Sequence, residues 1–386
     1  MAYYRHQLPQ RSDSIFITDG GLETVLLFQQ GWDLPDFAAF TLMDRPLGTE
    51  ALHEYFNSYG ALAQTYGMGL VLESPTWRAN ADWGKRQGYD AAKLADVNRR
   101  AIALLQITRS IYSGPHNPIV ISGCIGPRGD GYRPDHPMTI REAQQYHQPQ
   151  IDTFHRTAAD LVSGLTMTYP EEAIGIALAA QNAQMPVVIS FTVETDGKLP
   201  TGLSLKDAIQ TVDQATHGYP TYYMINCAHP IHFDQALRHQ GPWVKRIQGI
   251  RANASMMSHT ELDAAETLDA GNPQDLGQRL HSLRQHLPHL TVLGGCCGTD
   301  QRHIEAICKT HSPALVHCDN PPKPRPNNGR QYSKRLNVFR ALLILGMILR
   351  VSIRLLARFT DRFILLNQQR RMQPFAVLIA VALQSF

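Results

Sequence analysis

From residue 15 to residue 312 the chain repeats one unit. A short apolar, β-branched run ends in Gly, Ser, Asn or Asp, and a stretch with helical spacing follows. The apolar runs fall at residues 15–18, 69–72, 118–121, 161–167, 186–189, 222–225, 244–250 and 290–293. Helices are expected at about 49–66, 91–112, 139–158, 171–183, 204–216, 231–240, 272–287 and 300–310. Ser204 and the Thr299-Asp300 pair offer N-cap chemistry to two of them. Eight such units predict an α/β fold, a (β/α)8 TIM barrel over residues 12–312 with a C-terminal extension. The runs are apolar without alternation, as parallel strands covered on both faces should be. A doubly wound open sheet would need a glycine-rich phosphate turn after its first strand, and Asp19-Gly20-Gly21-Leu22-Glu23 lacks that spacing.

Functional groups in such barrels gather past the C-terminal ends of the strands. There the sequence places Asp19-Gly20-Gly21, Glu73-Ser74, Cys124, Thr166, Glu194, Asn226-Cys227, Arg251 and Gly295-Cys296-Cys297. The last run is the most specific. Two adjacent thiols lie in Gly294-Gly295-Cys296-Cys297-Gly298-Thr299, and Cys227 ends the sixth strand in Asn226-Cys227. In an eight-strand ring the sixth and eighth positions lie close enough to lean toward one point. A vicinal disulfide or buried thiols are the alternatives, but three thiols converging on one spot fit an open zinc site better. Cys308 lies mid-helix and Cys318 at a linker, so both read as packing or surface residues, while Cys124, after the third strand, reads equally as a pocket residue or as a small core residue. Three thiolates around Zn2+ leave a net charge of −1 and one open position, by the charges of the ions alone. Such a site is poor at activating water. It is well suited to taking a substrate thiol as its thiolate, a nucleophile activated by coordination.

The balance of the composition adds exclusions. A formal charge of +3 over 386 residues gives no case for nucleic-acid binding. Six cysteines in so long a chain make no disulfide scaffold, and residues 1–10 hold no apolar targeting segment, so a reducing cytoplasm is expected. The tail, residues 319–386, begins with a proline-rich linker at 319–329. Its longest uncharged run thereafter, 341–349, is shorter than the ~20 residues a bilayer-spanning helix needs. Arg350, Arg354 and Arg358 share one helical face, which suits contact with a membrane surface or a protein partner, against a weakly packing extension.

Asp19-Gly20-Gly21, Asn226-Cys227 and Gly294-Gly295-Cys296-Cys297-Gly298-Thr299 together resemble the homocysteine S-methyltransferase family, over roughly residues 12–312. The resemblance implies a (β/α)8 barrel that binds zinc through Cys227, Cys296 and Cys297. It implies that homocysteine sulfur takes the fourth position and attacks a donor methyl group to give methionine. It further implies that Asp19, Gly20 and Gly21 help hold the amino-acid part of homocysteine and that Asn226 shapes the pocket beside the metal. The chain departs from the pattern at the fourth strand. Where many members carry a glutamate for the substrate ammonium group, this sequence has Leu165 in Gly164-Leu165-Thr166. Glu194 is the first candidate to replace it, with Glu23 and Glu73 behind. The expected donor is S-methylmethionine or S-adenosylmethionine, then betaine, and Trp77, Trp83 and Tyr132 are placed to face a cationic donor. The alternatives are a related enzyme acting on another thiol or selenol, and a non-catalytic zinc-binding barrel.

Overall fold

In the computed structural model, described for residues 1–238 and 241–312, eight parallel strands close into a barrel in chain order. They are β1 (Phe16–Thr18), β2 (Gly69–Glu73), β3 (Ile119–Ile125), β4 (Leu161–Met167), β5 (Val187–Phe191), β6 (Tyr222–Asn226), β7 (Ile247–Ala252) and β8 (Val292–Gly295). The crossover helices are α1 (Pro46–Tyr66), α2 (Ala91–Tyr112), α3 (Ile140–His155), α4 (Pro170–Asn182), α5 (Leu205–Thr216), α6 (Pro230–Arg238), α7 (Pro273–His286) and α8 (Gln301–His311). β1 completes the ring against β8, with Phe16 opposite Val292. Every expected strand and helix of the barrel is present. Ser204 caps α5 by accepting the Asp207 N–H at 3.1 Å, and Asp300 caps α8 through the Arg302 N–H at 2.9 Å.

The local differences have local causes. Pro242 opens a 3-10 turn over Pro242–Arg246, so the seventh strand starts at Ile247 rather than at 244. β3 and β8 run past the apolar segments to Ile125 and Gly295, because their small and polar residues still pair with the neighbouring strands, Cys124 opposite Ser163 and Gly295 opposite Ala252. Short helices at Ala81–Arg86 and His259–Asp263 were not expected from the spacing.

The two faces of the barrel strands carry different cores. Leu70, Leu72, Ile119, Ile121, Val187 and Ile189 belong to the large apolar core that includes the helices. Phe16, Val71, Val120, Leu161, Val188, Tyr222 and Val292 form a second apolar cluster, the filling of the barrel, with Leu8 packed among them. Side chains alternate between faces along a strand, so two residues on from Val71, Val120, Leu161 and Val188 the inward positions are Glu73, Ser122, Ser163 and Ser190. All four are buried. The interior thus changes from apolar to polar toward the C-terminal ends of the strands. No helix among the described residues is long and apolar enough to cross a membrane. The tail expected at 319–386 lies outside the described residues.

Candidate metal centre

Cys227 is the first residue after β6, and Cys296 and Cys297 are the first two after β8. Cys227 takes a left-handed backbone conformation, φ 55°, which turns the chain sharply at the strand end. Its N–H donates to the Arg251 carbonyl at 3.2 Å and the Cys296 N–H to the Ala252 carbonyl at 2.7 Å, so both cysteine segments are laced to β7 between them. The glycines of the motif permit close approach. A Cβ on Gly295 would lie 2.0 Å from Thr299 Oγ1, and one on Gly21 would lie 2.5 Å from the Cys296 carbonyl oxygen. The Asp19-Gly20-Gly21 turn therefore packs directly against the cysteine loop, and Gly295 N donates to the Asp19 carbonyl at 3.2 Å.

The three sulfur atoms lie within 4.8 Å of one another, the one such metal-ligating cluster among the described residues. Cys227 Sγ and Cys297 Sγ are 3.7 Å apart, and the thiols are free of disulfides. A tetrahedral zinc with Zn–S bonds of about 2.3 Å spaces its sulfur ligands by ~3.8 Å, so the cluster fits that ion. Hydrogen bonds from the Cys227 and Cys297 thiols hold the Cys296 thiol well below the usual thiol range, with the charge of Arg251 adding to the effect. Asn226 Nδ2 also donates to Cys296 Sγ, at 3.9 Å. The same amide donates to Thr166 Oγ1 at 2.8 Å, while its Oδ1 accepts from Thr166 N at 2.9 Å and Ser190 Oγ at 2.6 Å. Thr166 is held at φ 64°, a strained conformation for a β-branched residue, at an irregularity in the β4–β5 pairing. Around the cluster, Tyr132 places its hydroxyl 3.8 Å from Cys297 Sγ and stacks on His259, ring centroids 4.0 Å apart. His259 Nε2 in turn donates to the Cys227 carbonyl at 2.7 Å.

A cavity of about 370 Å³ opens beside the sulfurs. It is large enough for small-molecule reactants. Asp19, Gly20, Gly21, Asn226, Cys227, Cys296 and Cys297, all expected at the site, line it together. So do Glu23, Glu73, Trp77, Cys124, Tyr132 and Leu165. Glu194 does not. It lies outside this cavity and contacts His259 Nδ1 at 3.1 Å, lining a smaller pocket behind that ring. Trp83 is likewise absent from the lining. It stacks on the Arg78 guanidinium at 3.8 Å, with Trp77 on that cation too. Cys308 is buried in α8, and burial pushes its thiol up to about 12.

Four groups in the polar layer control its charge. Asp19 is buried with both oxygens engaged, Oδ1 with Arg251 Nη1 at 2.8 Å and Oδ2 with the Tyr55 hydroxyl at 3.1 Å. Arg251 is buried against that carboxylate and donates to the Gly20 carbonyl at 3.3 Å. Burial opposes its charge, but Asp19, Glu73 and the Cys296 sulfur outweigh burial and raise its pKa above the ordinary value. Burial pushes the carboxyls of Glu73 and Glu23 up to about 7. Arg251, Tyr55, His259 and Arg78 were not assigned a role from the sequence. Arg251 left a signal: a cation closing an apolar barrel strand needs a buried carboxylate partner. Tyr55 and His259 left none, since their reach depends on where α1 and the 253–272 loop fold back over the barrel mouth.

The fold has known counterparts. The metallated form of the homocysteine methyltransferase MmuM from Escherichia coli superposes with a TM-score of 0.62 at 19% identity, over 79% of this chain and 98% of that one. The oxidised form of the same protein gives 0.61 at 20% identity, over 78% and 97%. No curated protein is significantly similar to the chain in sequence. A sequence model of the homocysteine S-methyltransferase family matches residues 16–311. That match runs from the first residue of β1 to the last of α8 and encloses both the barrel and the cysteine cluster, so the chain belongs to the homocysteine S-methyltransferase family.

Proposed function

We propose that residues 12–312 form a zinc-dependent methyltransferase that moves a methyl group from a sulfonium donor to the thiolate of homocysteine, giving methionine. The carrying observation is the convergence of Cys227, Cys296 and Cys297 on one wall of a cavity, at a spacing that suits a tetrahedral ion with one open position. Zinc bound there would strip the proton from the acceptor thiol and keep its sulfur electron-rich at neutral pH. The chain's own residues supply the rest. Asn226 orients the Cys296 sulfur, His259 fixes the Cys227 carbonyl, and the Asp19–Arg251 pair sets the floor beneath the turn at Gly20-Gly21.

The donor reading rests on charge. Asp19, Glu23, Glu73, Asp130, Asp263 and Asp269 line the cavity against Arg78 and Arg251. An anionic cavity with Trp77 and Tyr132 in its wall favours a cationic methyl donor: S-methylmethionine or S-adenosylmethionine first, betaine next. Thiols used as ligands suit a reducing compartment, so the reaction is placed in the cytoplasm. Leu165 in the cavity wall favours a second reading, an acceptor thiol or selenol other than homocysteine, and relative turnover of the candidate acceptors separates the two.

Metal analysis tests the reading. Purified protein should carry about one zinc per chain, as a single three-thiolate site requires. Cys296→Ser should lose it, along with methionine formation from homocysteine and each donor in turn. Full zinc retention in that variant sinks the metal assignment, and zinc without methyl transfer from any donor leaves a binding barrel only.

A further inference from the structure

Among the carboxylates in the cavity wall, Glu73 stands apart. It ends β2 on the inward face of the barrel and is 5% exposed. Its Oε2 is buried without a hydrogen-bond partner. A buried, unpaired carboxylate oxygen is costly until a water or a ligand group completes it. The two neighbouring hydroxyls, Ser122 and Ser163, hydrogen-bond to each other at 2.7 Å and stabilise the charged form of Glu73, a residue that lines the cavity. Asp19 already has its charge balanced by Arg251 and a bond on each oxygen, so it offers a ligand cation less than an unpaired carboxylate does. Glu194 lies outside the cavity. At the end of β4, two strands round the ring from Glu73, Leu165 presents an apolar side chain to the same space.

We propose that Glu73 holds the ammonium group of the acceptor thiol, so that amino-acid recognition in this chain is carried by β2 and not by β4. The inference rests on the methyl-transfer reading only for the identity of the acceptor. The residue acts by ionic hydrogen bonding: the ammonium N–H groups donate to Oε2, the vacant acceptor. An acceptor without an amino group leaves that oxygen buried and unpaired, and the site discriminates against it for that reason.

Direct binding tests this independently of turnover. The metal-loaded full chain is titrated calorimetrically with homocysteine and with 4-mercaptobutyrate, which has the same thiol and carboxylate but no amino group. The wild type is expected to prefer homocysteine by about thirty-fold, the scale of a charge-assisted hydrogen bond. Glu73→Gln, with wild-type zinc content, should lose most of that preference, and Glu23→Gln should keep it. Glu73→Asp, which withdraws the charge by one methylene, should fall between them and serves as the test if the glutamine variant does not fold. No preference in the wild type, an unchanged preference in both Glu73 variants, or loss of preference in Glu23→Gln overturns the proposal. Preference without methyl transfer counts against the proposed reaction and leaves the role of Glu73 standing.

Discussion

Asn226 does the work of several residues at once. Its amide accepts from a backbone N–H and a serine hydroxyl and donates to a threonine hydroxyl and a cysteine sulfur, all of them buried or half-buried. Two of those bonds clamp Thr166 in its left-handed conformation. Asn226→Ala would strand three buried polar groups and release the strained segment together. We expect it to cost about 3 kcal/mol, from the usual penalty for unsatisfied buried groups. Urea unfolding should show a lowered midpoint with an unchanged slope, and zinc should bind more weakly because the Cys296 sulfur loses a donor. A stability change within ~0.5 kcal/mol, the range of ordinary surface substitutions, would count against the clamp. The sequence exposed the cysteines because thiols in a glycine run have few other uses. It marked Asn226 only by adjacency to Cys227, and Glu73 no more than Glu23 or Glu194. Which carboxylate is free depends on who pairs with Asp19, and that partner, Arg251, is 232 positions away along the chain.

Between elements, the barrel was legible because each strand and helix declares itself locally, through an apolar run, a cap and a period. What lay hidden is how the ring is closed at its ends. At the N-terminal end Asp160, just before β4, is fully buried. It accepts from Arg109 of α2 at 2.7 Å, from the Ile121 N–H of β3 at 2.9 Å, and from the N–H groups of Tyr3 and Tyr4 at 2.7 and 2.9 Å. One carboxylate thus joins a helix, two strands and the N-terminal segment, with Arg109 also stacked over the Tyr3 ring at 4.1 Å. Asp160→Ala leaves the Arg109 charge buried and uncompensated, which costs about 3–5 kcal/mol. Denaturant unfolding should show that loss, while the zinc content of the folded protein stays at the wild-type value, because the pair sits at the opposite end of the strands from the sulfurs. A mild effect on stability would mean that the segment around Tyr3 is not held by this residue. At the C-terminal end the loop after β7 supplies Leu262, Leu268 and Asp269 to the cavity and His259 to the Cys227 carbonyl. In the structure Ser258 caps the short helix there by accepting the Glu261 N–H at 3.3 Å, yet nothing local says that the loop folds over the mouth.

Across the whole molecule, the cavity is assembled at the expense of stability, and pH reads that cost. The folded pKa of Glu73, about 7, stands above its ordinary value of 4.5 because burial disfavours the charge. A carboxyl raised in this way favours the fold in its neutral form. Its contribution is fully present below about pH 4.5, is withdrawn as pH climbs toward 7, and stays lost above that. The difference amounts to about 3 kcal/mol for a buried group, using ~1.4 kcal/mol for each tenfold change in proton affinity. Glu23 shifts in the same direction, whereas Asp300, held below its ordinary range by Arg302, Gln29 and His303 against the cost of its own burial, works oppositely. The total pH profile therefore mixes signs, and the informative quantity is the gap between wild type and Glu73→Gln in the metal-free protein. Glutamine is isosteric and never charged, so the variant should unfold at nearly the wild-type temperature at pH 4.5 and at a clearly higher one at pH 8, the gap opening between those values. With both proteins metal-loaded, saturating homocysteine should narrow the gap at pH 8, since an ammonium beside Oε2 restores what ionisation removed in the wild type alone. A gap that is constant across the range would show that burial does not raise the Glu73 pKa in the folded protein, and a less stable variant at pH 8 would show that its charge is satisfied without any ligand.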